Sequence, residues 1–255
     1  MSQYRYLFGS PAAHRPPTAR QRCHTLVLGA YPSALYVRWM PLRLSPITAV
    51  AIADEPEPFW DGHDEETQVL RWRHSIDWDL SWGEVRPAGR LNGSSGAWLN
   101  RNVLAPLELP RHGVWITDCI DVYHESKSAK ARLDSPQFRR LISRGRIPDR
   151  QLPPHPTEAQ IVKCAQLQRL SDELRDCHPT RVITLGNAAL RVFNALLERP
   201  MSMTKLSPGR SYGNSLSTRT AHGLLVEWIP LAHPAAPAPY QEAHRRWKAR
   251  TQLTV

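Results

Sequence analysis

The sequence predicts an α/β fold, a mostly parallel sheet covered on both faces by helices. Three observations carry that expectation. Short, near-continuous apolar runs rich in Val, Ile and Leu recur along the 255 residues, segments with helical apolar spacing lie between them, and the two kinds alternate.

"HTLVLGA" (24–30) is the first predicted strand, and its glycine with Pro32 close behind marks a tight loop at its end. "ITAVAIAD" (47–54) is the second, running into the acidic, proline-broken "DEPEPFWDG". "SSGAWLNRNVLAPLEL" opens on serines suited to capping and continues as a helix through Trp98, Leu99, Val103, Leu104 and Leu107. "GVWITDCIDVY" (113–123) is the third strand. "TEAQIVKCAQLQRLSDEL" begins with a Thr157-x-x-Gln160 capping box and spaces Ile161, Cys164, Leu167, Leu170 and Leu174 for one helix face. "TRVITLG" (180–186) is the fourth strand, followed by the helix "NAALRVFNALLE" with Asn187 as its expected cap. "GLLVEWIPLAH" adds a strand and "YQEAHRRWKART" a basic closing helix.

Composition narrows the function. The chain is 41% hydrophobic, a globular value, with a formal net charge of +10 and a pI near 9.9. That surplus of cations favours a polyanionic partner, nucleic acid first. No apolar run reaches membrane-spanning length, so no membrane span is expected, and DNA rather than a membrane is the expected partner. Cys23, Cys119, Cys164 and Cys177 are widely spread without a C-x-x-C pair, which suits reduced thiols in a cytoplasmic protein and gives no metal site. Residues 1–22, rich in Pro, Arg and Ala and lacking the apolar core of a secretory signal, are expected as a flexible arm. With no repeat and no clear linker, residues 23–255 are expected as a single domain, and the protein as a monomer.

In an open parallel sheet, ligands bind beyond the carboxyl ends of the strands. The first strand delivers Gly29, Ala30, Tyr31, Pro32 and Ser33 to that edge, the third delivers Asp118 and Asp121, and the last delivers His233. His233 opens "HPAAPAPY", where Pro234, Pro237 and Pro239 stiffen the backbone. These segments converge on one rim.

The order of these motifs resembles the uracil-DNA glycosylase superfamily, in a divergent bacterial form. The likeness rests on Gly29-Ala30-Tyr31-Pro32-Ser33, on Asp118 in "ITDCID" and on His233-Pro234, with "GRLNGSSGAWLNRNVL" and "VITLGNAAL" between them. The resemblance implies a three-layer α/β/α sandwich with a mostly parallel four-stranded sheet, and a DNA glycosylase that needs no metal or organic cofactor. Its substrate would be duplex DNA with one nucleotide flipped into a pocket. His233 would stabilise the departing base, Asp118 would read its edge, and Gly29–Ser33 would shape the pocket floor.

Two departures bear on chemistry. Ala30 and Tyr31 stand where members of the family carry a water-orienting Asp, Glu or Asn, so Asp121, Asp118 or Asp54 must supply the carboxylate, with Asp121 as the expected base. Asp118 stands where the uracil enzymes usually have Asn. An ionised carboxylate only accepts hydrogen bonds, which suits an amino-bearing pyrimidine, and the small Ser33 leaves room at its C5. The expected substrate is a modified cytosine of the kind found in bacteriophage DNA, giving a role in antiphage defence. The alternatives are uracil excision in base-excision repair, a non-catalytic module that binds modified DNA, and a hydrolase of free nucleosides or nucleotides. Expected DNA contacts are Ser94 and Ser95 in "NGSSG", Arg139 and Arg140 in the basic stretch 127–150, Pro234 and Pro237, and Arg245 and Arg246. Tyr31, Phe59 and Trp60 are the candidates for stacking on an extruded base.

Overall fold

The computed structural model describes residues 4–18 and 21–254. In chain order the strands are β1 (Thr25–Gly29), β2 (Ala34–Met40), β3 (Ile47–Asp54), β4 (Glu84–Pro87), β5 (Val114–Asp118), β6 (Arg181–Leu185), β7 (Leu216–Arg219) and β8 (Leu225–Leu231). The helices are α1 (Glu65–Ser75), α2 (Ser94–Leu99), α3 (Lys127–Leu133), α4 (Pro136–Arg144), α5 (Glu158–Cys164), α6 (Leu167–Cys177), α7 (Asn187–Asn194) and α8 (Ala238–Thr254). Where one domain was expected, the chain forms two compact units. One comprises the segment up to Arg15, Pro32–Gly96 and Val122–His155; the other comprises Pro16–Tyr31, Ala97–Asp121 and Pro156 onward.

The second of these units holds the α/β fold. Its sheet runs β5-β1-β6-β8-β7, with the first four strands parallel and β7 antiparallel on β8 at the edge. The four-stranded parallel sheet expected from the sequence is therefore extended by a fifth, antiparallel strand. β1 and β5 are buried at every residue, which explains their near-continuous apolar sequences. Thr157 and Gln160 form the expected capping box at the start of α5, but the predicted single helix breaks at Ala165–Gln166 and resumes as α6. Gly186, not Asn187, occupies the cap position of α7, and Asn187 instead accepts the Leu206 N–H through Oδ1 at 2.9 Å. α2 continues through a π-helical turn, Asn100–Leu104, and a 3-10 turn, Ala105–Leu107.

The other unit corrects two expectations. β3, "ITAVAIAD", does not enter the parallel sheet; it pairs antiparallel with β2, which also pairs with β4. A short apolar run specifies burial but not its partner, and the close sequence spacing of β2 and β3 favours a local antiparallel pairing. The N-terminal segment is no loose arm over its described residues 4–15: Tyr6, Leu7, Phe8 and Ala12 are buried. Phe8 meets Trp39 edge-on at 5.2 Å and lies 5.7 Å from Trp72, inside an aromatic core. The aromatic residues of "YRYLF" outweigh the prolines and arginines around them.

The basic stretch 127–150 belongs to this unit and is internally neutralised in part. Arg150, buried to 5% side-chain exposure, contacts Glu125 at 2.8 Å, Asp134 at 2.9 Å and Asp149 at 3.0 Å. Arg139 pairs with Asp134 at 2.8 Å and Asp149 at 2.5 Å, while Arg140 is exposed. Lys130 and Arg150 hold the Asp134 carboxyl well below the usual range. Arg150→Ala leaves Glu125 buried without its cation, and is expected to destabilise the protein by about 3–5 kcal/mol, read as the loss in a urea unfolding curve.

Candidate active site

Parallel pairing brings the carboxyl ends of β5, β1, β6 and β8 to one edge of the sheet. Gly29 lies opposite Asp118, Leu28 opposite Thr184, and Leu185 opposite Leu231. Asp118, the Gly29–Tyr31 segment, Gly186 and His233 therefore leave the sheet side by side. At about 4.8 Å per strand, the β8 end that carries His233 stands roughly 10 Å from the β1 end and roughly 14 Å from the β5 end. The chain leaves β1 toward β5 and leaves β6 toward β8, in opposite directions, so the β1/β6 boundary is the switch point at which such sheets bind ligands.

The β1–β5 ladder continues beyond the strands. Cys119 N–H donates to the Gly29 carbonyl at 3.1 Å and Ile120 N–H to the Ala30 carbonyl at 3.2 Å, which fixes the first loop against the segment after Asp118. Pro32 and Ser33 fall in the other unit, where Ser33 N–H donates to buried Glu55 at 3.1 Å. Asp54, at the end of β3, is likewise engaged there, accepting from the Tyr6 hydroxyl at 2.7 Å and the Ala13 N–H at 2.8 Å.

Asp118 is buried to 3% exposure, and its backbone is clamped by Arg169, a residue that the sequence alone does not single out. The Arg169 guanidinium donates to the Asp118 carbonyl at 2.5 Å, the Thr117 hydroxyl at 3.0 Å, Gln166 Oε1 at 2.5 Å and Glu173. Glu173 in turn accepts from Trp115 Nε1 at 3.1 Å. Asp121 accepts from Gln166 Nε2 at 2.9 Å and lies 4.0 Å from Arg169, so its carboxylate is part of this clamp. The available signal was the spacing of Gln166, Arg169 and Glu173 at steps of three and four along one helix face. Cys119 is buried, and burial together with the Asp118 charge raises its thiol well above the ordinary range.

His233 lies two residues past the end of β8. Its Nδ1 accepts the Ala235 N–H at 3.1 Å and its carbonyl accepts the Ala236 N–H at 2.9 Å. A ring nitrogen that accepts is unprotonated, so Nε2 carries the proton and remains a donor. The residue is exposed, yet the surrounding protein desolvates its ring enough to push its pKa below the ordinary histidine value. His233 is thus a neutral, oriented N–H donor at pH 7. Gly186, with φ of 92° and ψ of 169°, permits this packing: a Cβ built on it would lie 3.2 Å from the His233 Cβ.

The remaining sequence-predicted residues divide. Ser94 is exposed and Ser95 half-buried at the start of α2; Pro234 is half-buried and Pro237 exposed. Arg245 and Arg246, both exposed, share Glu242, Arg246 at 3.3 Å, so the group keeps one net positive charge. Phe59 and Trp60 are core residues, which removes them as stacking platforms, while Tyr31 is half-buried. The closing helix α8 starts at Ala238 and takes Pro239 into its first turn, so the stiff loop is His233–Pro237.

Gly186→Ala places a side chain in a conformation reserved for glycine and presses on His233. It is expected to cost about 1–3 kcal/mol of stability and to shift the His233 imidazole resonances, read by thermal unfolding and NMR.

No helix among the described residues is long and apolar enough to cross a membrane. No curated protein matches the chain. The family model described as the uracil DNA glycosylase superfamily matches residues 87–253, about two thirds of the sequence. The match includes Asp118, Asp121, Arg169, Gly186 and His233, and begins after the Gly29–Ser33 loop. The chain belongs to the uracil DNA glycosylase superfamily.

Proposed function

We propose that the protein hydrolyses the bond between a flipped base and its deoxyribose, leaving an abasic site. Members of its superfamily are DNA glycosylases. The observation that carries the reading is the oriented Nε2–H of His233 on the same sheet edge as the buried Asp118. As the glycosidic bond lengthens, negative charge collects on the base, and a fixed N–H donor aimed at a base oxygen is worth more in the transition state than before it. A neutral imidazole suits this role because Ala235 N–H already occupies Nδ1, so protonation there sacrifices a backbone hydrogen bond.

Asp118 reads the base from the other side of the site. As an acceptor it suits the exocyclic amino group of a cytosine. The substrate favoured is a cytosine modified at C5, as in bacteriophage DNA, and the role favoured is defence against it. Asp121, tied to Gln166 and Arg169, serves first to hold the segment after β5, with water activation as its second use. A second reading, a binding module for modified DNA without catalysis, is favoured by Ala30 and Tyr31, which give the first loop no carboxylate.

Duplexes carrying uracil, cytosine or C5-modified cytosines, incubated with protein and then treated with alkali, decide between these. Strand breaks on a modified cytosine, reduced about 10²–10³-fold in His233→Ala, are the expected result; salt-sensitive binding without breaks on any duplex supports the binding module. Asp118→Asn is expected to move preference toward uracil, and unchanged preference counts against the edge-reading role. Because desolvation pushes the His233 pKa below the ordinary histidine value, protonation that would break the Ala235 hydrogen bond is expected at a lower pH than for a free histidine, and the excision rate is expected to decline only in that more acidic range. A rate that declines already above pH 7 contradicts this assignment.

A further inference from the structure

We infer that Tyr212 and His244 are positioning residues that set the height of His233 through the backbone of Ala232; the inference rests on the glycosylase reading for its effect on rate. β8 ends at Leu231, and the next N–H, that of Ala232, is bonded by a side chain: it donates to the Tyr212 hydroxyl at 2.9 Å. That hydroxyl lies 3.0 Å from Nδ1 of His244, whose Nε2 lies 3.0 Å from the carbonyl of Asn102. A carbonyl only accepts, so Nε2 carries the His244 proton, Nδ1 accepts the Tyr212 O–H, and the Tyr212 oxygen is left to accept from Ala232. Every proton in the chain has one direction.

Both side chains are buried, Tyr212 to 3% and His244 to 5% exposure. Burial raises the Tyr212 hydroxyl to about 12 and lowers the His244 pKa, so both stay neutral in the forms that this chain requires. Trp98 and Trp247 flank the His244 ring at centroid distances of 4.8 and 5.0 Å. Gly213, at φ of 69°, brings the backbone beside Tyr212 against the Trp247 ring, where a Cβ would come within 2.3 Å. Asn102 sits in the π-helical turn Asn100–Leu104.

A Tyr–His pair is a costly filling for an apolar core, since two polar groups must be desolvated and matched. What this pair adds is a fixed acceptor for the amide preceding His233. The residues before and after are held independently: the Leu231 carbonyl accepts Gly186 N–H at 2.8 Å, and the His233 carbonyl accepts Ala236 N–H. Ala232 is the point where the position of the loop depends on Tyr212. Misplacement of a reacting group by about 1 Å costs on the order of 10² in rate.

Tyr212→Phe deletes the hydroxyl and keeps the ring. In ¹⁵N imidazole spectra the unaltered protein is expected to show His233 as a single Nε2–H tautomer, and Tyr212→Phe a mixture of tautomers or a broadened signal. An unchanged His233 spectrum overturns the inference, whether or not any base is released. In single-turnover assays on the DNA that the unaltered protein cleaves, Tyr212→Phe is expected to slow excision about 10–100-fold with DNA affinity unchanged. Added to His233→Ala, it is expected to slow the residual rate no further. An equal slowing in that background assigns Tyr212 a general structural role and overturns the inference. If Tyr212→Phe does not fold, His244→Leu, which removes the acceptor of the hydroxyl, must give the same spectral change. Absence of base release by the unaltered protein on every duplex defeats the glycosylase reading alone, and the spectrum still decides the positioning role.

Discussion

In-step parallel pairing of β5, β1, β6 and β8 is the constraint on which the candidate site depends. Parallel strands must all end at the same edge, and a register of Gly29 with Asp118 and Leu185 with Leu231 leaves no stagger to separate the loops that leave them. Residues more than a hundred positions apart in sequence thereby become neighbours. A slip of one residue in any of these pairs would turn the next side chain to the opposite face.

The two sides of the site are held by different chemistry. Around Asp118 the anchor is charged: one guanidinium spans the Asp118 carbonyl and the Thr117 hydroxyl of β5 and pairs with the carboxylates of Glu173 and Asp121. Arginine suits this task because its planar fork keeps several donors in one geometry. Around His233 the anchors are neutral backbone and phenol hydrogen bonds, and desolvation rather than a neighbouring charge sets the protonation state of the imidazole. In the proposed reaction the neutral donor side is the one that meets the negative charge arising on the departing base.

Much of this was legible in the sequence. Near-continuous apolar runs located β1, β5, β6 and β8, and the Thr157–Gln160 pair announced α5, because two-sided burial and capping leave local marks. Asp118 and His233 were legible because each stands at the end of such a run. Pairing partners were not: β3 has the composition of a parallel strand, yet its neighbour in space is β2, and composition carries no address. The counter-ions of the basic residues were not legible, because Arg139 beside Asp134 and Asp149, and Arg246 sharing Glu242, are pairings made by the fold. Arg169 was hidden because its partners come from both its own helix and the distant β5, so only the folded arrangement gives it a role.

The central claim is that a base lies between Asp118 and His233. It is tested most directly by solving the structure of the protein on duplex DNA that carries a C5-modified cytosine on a hydrolysis-resistant sugar. The flipped base is expected at the carboxyl ends of β1 and β6, with His233 Nε2 within hydrogen-bond distance of a base oxygen and Asp118 on the exocyclic amino group. A base that remains stacked, or that enters the protein away from both side chains, contradicts the claim.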